Sequence, residues 1–404
     1  MSGSSRPQFL AVSACYQVFT LSDGALRMLV LLHLHEQGRT ALALALVLLP
    51  YEVAGVFANL LGGVLSSRFG QRLVLVTGLA LQGLSCAMLA VEAALLSVPL
   101  VMATQVMSGV AKDLAKTAAK SYTRALAVDD GSSLFLLVAF MTGSKNAVKG
   151  LGFFVGGALL STLGFRHTNT ALAVLLVVAA ILAARLLPEK GANRRAHGAS
   201  ILRQERSVQW LALARLFLFG SRDVWFAVAL PLFLASVHSW SSAAIGAFLS
   251  AWVIGYGAVQ AAAPRWLRTK VVAVGARQAV AWTALLLVPL GATAWLLAMA
   301  TSSVAVVAVG VCAYGVVFAV CSSLHSWLVV ALANRDDVAE RVGFYYAANS
   351  VGRVVGTLAS GWLFDLADGG TSGLGLCMSA SAVMVLLAAS ASLPMAARAR
   401  ALSS

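Results

Sequence analysis

Thirteen ionisable side chains stand inside stretches otherwise built from Leu, Val, Ala and Gly. The cations are Arg27, Lys112, Lys116, Lys145, Lys149, Arg215, Arg222, Arg277 and Arg353, and the carboxylates are Asp23, Glu52, Asp113 and Asp223. A charge at the centre of an apolar helix costs about 2.5–3.5 kcal/mol on insertion scales, so such residues avoid lipid and seek a partner, water or a ligand. Nine cations against four carboxylates leave five positive charges that internal pairing does not neutralise. Lys145 and Lys149 lie one helical turn apart, where like charges repel unless an anion sits between them. Arg offers a planar fork for phosphate or carboxylate, and Lys a compact point charge. Together these residue types suit a wet central cavity that receives a multiply charged anion.

The candidate binding set is Arg27, Lys112, Lys116, Lys145, Asn146, Lys149, Arg222 and Arg353, with Lys116 placed toward the mouth. Asp23 with Arg27, and Asp223 with Arg222, read equally as structural ion pairs and as binding groups. Asp113 belongs with these acids. Glu52 has no cation on its own helix. It either pairs with Arg27 or Arg353, or serves as a protonatable coupling group. Arg215 and Arg277 fit the ends of helices and are expected to snorkel to headgroups. Tyr345 and Tyr346, beside Asn349, could donate hydrogen bonds into the cavity. His33 and His35 are two residues apart and point to different helix faces. With no completing ligand set they read as packing or outer-mouth residues, and no metal site is expected.

The elements that must carry these residues are membrane spans. Of 404 residues 60% are hydrophobic and only 11% charged, against about 25% charged in a soluble domain. Twelve helices are expected, at about 10–34, 41–66, 73–91, 98–122, 133–162, 168–187, 208–237, 242–264, 271–292, 302–331, 341–364 and 372–397. Each approaches the roughly 20 residues that cross a bilayer. The apolar run at the N-terminus contains Asp23 and Arg27, so it reads as a retained first helix. The basic run from Arg185 to Arg206 divides the chain into a six-helix bundle over 1–187, a cytoplasmic loop over 188–207 and a second bundle over 208–404. Loop cations fall on one side, among them Arg68, Arg72, Lys120, Arg124, Arg265, Arg268, Arg335 and Arg398. The other side carries little basic beyond Arg39 and Arg166, alongside Glu36, Glu92, Asp365 and Asp368, so both termini are placed in the cytoplasm.

The halves echo each other. At an offset of 200 residues, Ser22-Asp23 falls opposite Arg222-Asp223 and Gly55 opposite Gly255, and Asn146 can be laid against Asn349 at a slightly different offset. Gly152 and Gly156, like Gly352 and Gly356, have the four-residue spacing that lets helix backbones approach. Pro50, Pro231 and Pro289 are candidate kinks. Six plus six is the plan of a carrier with its site between two repeats.

Two resemblances follow from particular residues. The stretch Gly63-Val64-Leu65-Ser66-Ser67-Arg68-Phe69-Gly70-Gln71-Arg72 resembles the loop signature of the major facilitator superfamily. Gly63, Arg68, Gly70 and Arg72 match, while Ser67 stands where that family carries an aspartate that latches its halves. Over longer stretches, SDGALRMLVLLHLH (Ser22 to His35), SGVAKDLAKTAAKS (Ser108 to Ser121), TGSKNAVKGLGFFVGGALL (Thr142 to Leu160) and ARLFLFGSRDVWFAVALP (Ala214 to Pro231) are similar to ArsJ-type organoarsenical efflux permeases. That resemblance implies an all-α integral membrane protein of the major facilitator fold in a bacterial inner membrane. It implies export of 1-arseno-3-phosphoglycerate, an ester made by a companion glyceraldehyde-3-phosphate dehydrogenase, and hence arsenate resistance.

Other classes fit poorly. The +14 charge lies in short loops between apolar runs, where it attracts anionic lipid, and no basic domain offers itself to nucleic acid. No H-E-x-x-H pattern, nucleophile triad or loop large enough for a catalytic domain is present, so neither an enzyme nor a cofactor is expected. The five cysteines are unclustered. Alternatives kept open are a carrier of another organic phosphate or oxyanion, and a membrane anion receptor that moves nothing.

Overall fold

The computed structural model describes residues 5–92, 95–126, 131–188, 205–267, 271–299, 302–332 and 338–401. All secondary structure within them is helical. In chain order the helices are α1 (Ser5–Glu36), α2 (Ala41–Phe69), α3 (Gln71–Leu89), α4 (Val98–Leu126), α5 (Gly131–Leu186), α6 (Arg206–Phe226), α7 (Ala229–Ser236), α8 (Ser242–Leu267), α9 (Val272–Leu285), α10 (Leu287–Ala298), α11 (Val304–Ala331), α12 (Val338–Leu366) and α13 (Gly370–Ala401).

Thirteen helices reduce to twelve spans for local reasons. α5 is two helices joined at Gly164, whose φ of 74° and ψ of 174° suit a residue without Cβ. α6 and α7 form one span broken before Pro231, and α9 and α10 one span broken before Pro289. Proline lacks the amide hydrogen and its ring crowds the carbonyl four residues back, which is Ala227 in one case and Leu285 in the other. The first break covers Ala227 and Val228, and the second falls at Leu286, one residue past Leu285. The hydroxyl of Ser360 accepts the amides of Val228 (3.3 Å) and Ala229 (3.0 Å) freed at the first break. Pro50, by contrast, sits inside the continuous α2.

Nine stretches of the described residues are long and apolar enough to cross a membrane. One of them, Lys145–Leu186, contains the Gly164 junction and supplies two spans. α4 and α12 supply the remaining two, being 29 residues long but carrying the charges discussed below. Large apolar side chains lie on the outside, including Val174, Val177, Val178, Ile181 and Leu182 of α5, an arrangement suited to lipid and costly in water.

The chain divides into two compact units. The first comprises Met1–His33, Val53–Gly198 and Ser242–Ile254; the second comprises Leu34–Glu52, Ala199–Ser241 and Gly255–Ser404. Two stretches thus group otherwise than a cut at the central loop would place them: the start of α2 belongs with the second unit and the start of α8 with the first. Small residues make this possible. Gly157 and Gly246 bring α5 and α8 backbone to backbone in the first unit, and Gly361 brings α12 against Ala41 of α2 in the second.

Within the first unit α3 packs on α4 and α5 through Gly78, which lies against Ala111 and Ala115, and Gly83, which lies against Leu176. Within the second, α6 packs on α12 and α13. A core there gathers Leu211, Ala276, Leu324, Leu328, Tyr345 and Met395.

Candidate functional site

In the first unit the close crossing of α1 and α5 determines which charges meet. A Cβ on Gly152 would strike the carbonyl of Leu21, and one on Gly156 would lie 2.5 Å from that of Ala25. With the backbones this near, Lys149 Nζ donates to Asp23 Oδ2 at 2.8 Å, and Asp23 is buried. A pair therefore crosses from α1 to α5 at Asp23, which the sequence set beside Arg27 along α1. Arg27, Lys145 and Asn146 lie half-buried within about a turn of this pair, Arg27 on α1 and the others on α5. On α4, Asp113 is fully buried between Lys116, which donates to it, and Lys112, whose Nζ lies 4.0 Å away. Gly55 of α2 leaves room for them, since a Cβ there would sit 3.1 Å from Lys112 Nζ and 3.2 Å from Asp113 Oδ2.

In the second unit Arg353 is a hub. Its Nε donates to Asp223 Oδ2 at 3.0 Å and its Nη2 to Glu52 Oε1 at 2.6 Å. Arg222 closes the chain, with Nε 2.6 Å and Nη2 2.5 Å from Asp223 Oδ1. The network Glu52–Arg353–Asp223–Arg222 links α2, α12 and α6 and balances two cations with two carboxylates. Of the pairings open to Glu52, the one with Arg353 forms. Arg222 also stacks over Phe219 and Phe318, its Cζ 4.8 and 5.5 Å from their centroids. The next residue back, Ser221, is fixed by Tyr314 Oη at 2.9 Å.

Arg215 departs from expectation. A snorkelling residue would be exposed, yet Arg215 is 4% exposed. Its Nε donates to Asn349 Oδ1 (3.0 Å), its Nη1 to Ser322 Oγ (3.2 Å), and its Cζ lies 3.9 Å from the centroid of Phe219. The spacing of Arg215, Phe219 and Arg222 on α6 was the available signal, because those positions share one helix face. Arg277 is exposed on α9, as expected. His33 stacks on Phe165 at 4.1 Å, in keeping with a packing role.

The loop between α2 and α3 is described in part. The side chains of Gly63, Ser67 and Arg68 lie outside the described residues. Gly70 precedes α3 with φ of 83°, and Arg72 Nη1 reaches the carbonyl of Leu187 at 3.3 Å, tying the start of α3 to the end of α5.

The glycine crossings also correct the repeat register. Gly152 and Gly156 meet Leu21 and Ala25, whereas Gly352 and Gly356 meet Leu216 and Gly220. If α5 and α12 correspond at an offset of 200, α1 and α6 correspond at 195. Arg27 is then the counterpart of Arg222, and Lys149 that of Asn349. Asp23 falls opposite Leu218, so the match of Ser22-Asp23 with Arg222-Asp223 is about one turn out of register.

A family model described as Major Facilitator Superfamily matches residues 12–225, just over half of the chain. The chain belongs to this superfamily. The fold agrees across its length with solved superfamily-like carriers. The structure of a bacterial homologue of the human lysosomal transporter Spinster, in an inward-facing and unoccupied conformation, matches with a TM-score of 0.74 at 10% identity, covering 98% of each chain. That of the human organic anion transporter MFSD10 (TETRAN) matches with a TM-score of 0.68 at 18% identity, covering 96% of this chain and 99% of that one. No curated protein sequence matches significantly. A major facilitator carrier is a multi-pass membrane protein whose work is transport, and the ionisable residues buried in its spans are the candidates for contact with cargo.

Proposed function

We propose that this carrier exports 1-arseno-3-phosphoglycerate across the bacterial cytoplasmic membrane and thereby confers resistance to arsenate. The observation that carries the reading is the charge inventory. The spans of the first unit hold five cations and two carboxylates, and those of the second hold four and two. The four carboxylates are engaged by lysine or arginine, and the charge count of these residues stays positive by five. An ester with phosphate at one end and arsenate at the other supplies the missing negative charge. The four ArsJ-like segments carry most of these cations, which supports the same cargo. A lipophilic cation would meet the opposite sign of surplus.

Loading requires the anion to replace water around Lys and Arg side chains, and release requires that no single contact hold it too tightly. Alternation of the two repeats about the cargo supplies the path. Because the cell interior is negative, voltage favours exit of an anion by about 2.3 kcal/mol per charge per 100 mV, enough to drive uniport. The companion glyceraldehyde-3-phosphate dehydrogenase makes the ester inside, and its breakdown outside keeps the gradient outward.

The test is arsenic uptake into everted vesicles given arsenate, glyceraldehyde-3-phosphate, the dehydrogenase and its nicotinamide cofactor. Uptake only with the complete mixture, lost in Lys145→Ala or Arg222→Ala protein that still inserts, is the expected result. Uptake from arsenate alone would make this an inorganic oxyanion carrier. Uptake of the phospho-ester at an equal rate would broaden the cargo to organic phosphates, which are organic anions like the cargo class of the transporter MFSD10.

A further inference from the structure

The network around Arg353 is electrically closed, and Arg215, on the same face of α6, lies outside it. Among the described residues its fork meets only neutral groups: Asn349 Oδ1, Ser322 through its hydroxyl and its carbonyl at 3.4 Å, and the rings of Phe219 and Tyr345. Nη2 makes no hydrogen bond among them. Aromatic faces and amide oxygens partly replace water around a guanidinium, but they do not cancel its charge.

The repeat shows what is missing. Asn349 stands where the first unit has Lys149, and Lys149 is neutralised by Asp23. In the second unit the cation has moved to the facing helix, within about a turn of the position matching Asp23, and among the described residues no acid accompanies it. The surroundings are rich in donors. Gln260 Nε2 also points at Ser322 Oγ, at 3.3 Å. His325, one turn along α11 from Ser322 and on the same side, is fully buried with neither ring nitrogen hydrogen-bonded among the described residues.

We propose that Arg215, with Ser322, Gln260 and His325, forms a binding site for a single phosphate-class oxyanion, in which an anionic oxygen displaces Asn349 Oδ1 from the guanidinium. Building on the carrier function proposed above, this site takes the phosphate end of the cargo. Free inorganic phosphate offers the same chemistry, and the test separates the two. His325 contributes a donor from α11, so the site joins three helices of one unit around the anion.

The decisive variant is Asn349→Asp, which keeps Arg215 and supplies the carboxylate that the first unit has. Purified carrier in lipid nanodiscs is titrated with inorganic phosphate and with 3-phosphoglycerate, and binding is read by calorimetry. Wild type is expected to bind 3-phosphoglycerate, and Asn349→Asp to bind it at least tenfold more weakly while unfolding at a temperature equal to or above that of wild type. Arg215→Lys, which keeps the charge but loses the fork, should weaken binding without abolishing it. Parallel binding of inorganic phosphate, lost in the same variants, identifies the site as one for free phosphate as well. Binding of 3-phosphoglycerate alone identifies it as the cargo's phosphate subsite. Unchanged affinity in Asn349→Asp, or no binding of either probe by wild type, overturns the proposal. Failure of arsenical export with this pattern intact would remove the cargo reading and leave the site standing.

Discussion

The two units solve one problem, charge inside apolar helices, with different residues. The first uses lysine almost throughout, at Lys112, Lys116, Lys145 and Lys149, with Arg27 the exception. The second uses only arginine. The contacts follow the chemistry. Each lysine presents one ammonium, as Lys149 does to Asp23 and Lys116 to Asp113. Arginine forks bridge, as Arg353 does between Glu52 and Asp223. A point charge on a flexible stem can follow a moving anion, whereas a fork engaged on both edges is a fixed frame. On the function proposed above, the lysines of the first unit are the cations suited to follow cargo, and the paired arginines of the second are a fixed frame to which Arg215 is the exception.

That contrast is broken most directly at its two centres. Arg353→Ala leaves Glu52 and Asp223 as buried carboxylates deprived of a shared partner, and removing one side of such a pair costs about 3–5 kcal/mol. Lys149→Ala removes the charge-assisted hydrogen bond to Asp23, worth about 1.5–3 kcal/mol, and Arg27 remains within about a turn of Asp23 on α1. Thermal unfolding of both variants in the same detergent is expected to show the larger loss for Arg353→Ala. Lys149→Arg should be tolerated and Arg353→Lys should not, since one ammonium does not span both carboxylates. Equal losses at the two positions would end the distinction between a frame and a set of movable charges.

A smaller effect sharpens the comparison at Gly55 and Gly255, which the sequence sets opposite each other. A Cβ at Gly55 would press on Asp113, which is fully buried, while nothing lies within 4 Å of one at Gly255. Gly55→Ala is expected to lower the unfolding temperature through crowding that typically costs about 1–3 kcal/mol. Gly255→Ala should raise it, because alanine in a helix interior is favoured over glycine by about 0.5–1 kcal/mol. Both variants falling together would mean that the two glycines are equivalent after all.

How far these features could be read from sequence depended on the distance over which they are set. The spans and the buried carboxylates follow from composition and short spacings, and they were legible. Gly152, Gly156, Gly352 and Gly356 were recognisable as crossing points, but the depth at which each crossing sits is decided by the facing helix. That is why the repeat was read about a turn out of register at Asp23. Arg215 was misjudged for a related reason. Nearness to a helix end suggests snorkelling, and only the positions of Phe219, Ser322 and Asn349, from three helices, show a side chain turned inward. The contact of Asp23 with Lys149 likewise depends on the α1–α5 crossing, which spacing along α1 does not reveal.

The least of the expected effects concerns Asp365, which sequence placed merely among the acids of the outer loops. Its two carboxylate oxygens accept the amides of Ala41 (3.1 Å) and Leu42 (2.7 Å), the first residues of α2. Those donors have no partner within their own helix, and the positive end of the helix dipole lies there. Thr40 Oγ1 adds a local cap on Ala43 at 3.3 Å, so removal of Asp365 does not strip the helix end bare. Asp365→Asn keeps an acceptor and loses the charge, and is expected to cost about 0.3–1 kcal/mol, with Asp365→Ala nearer the upper end of the range for caps, about 2 kcal/mol. The loss at Asp365→Asn should shrink in high salt, because part-exposed charge–dipole attraction is screened. A loss that salt leaves unchanged would mean that Asp365 acts by shape and hydrogen bonding alone. The second unit would then rely on charge only at its arginines.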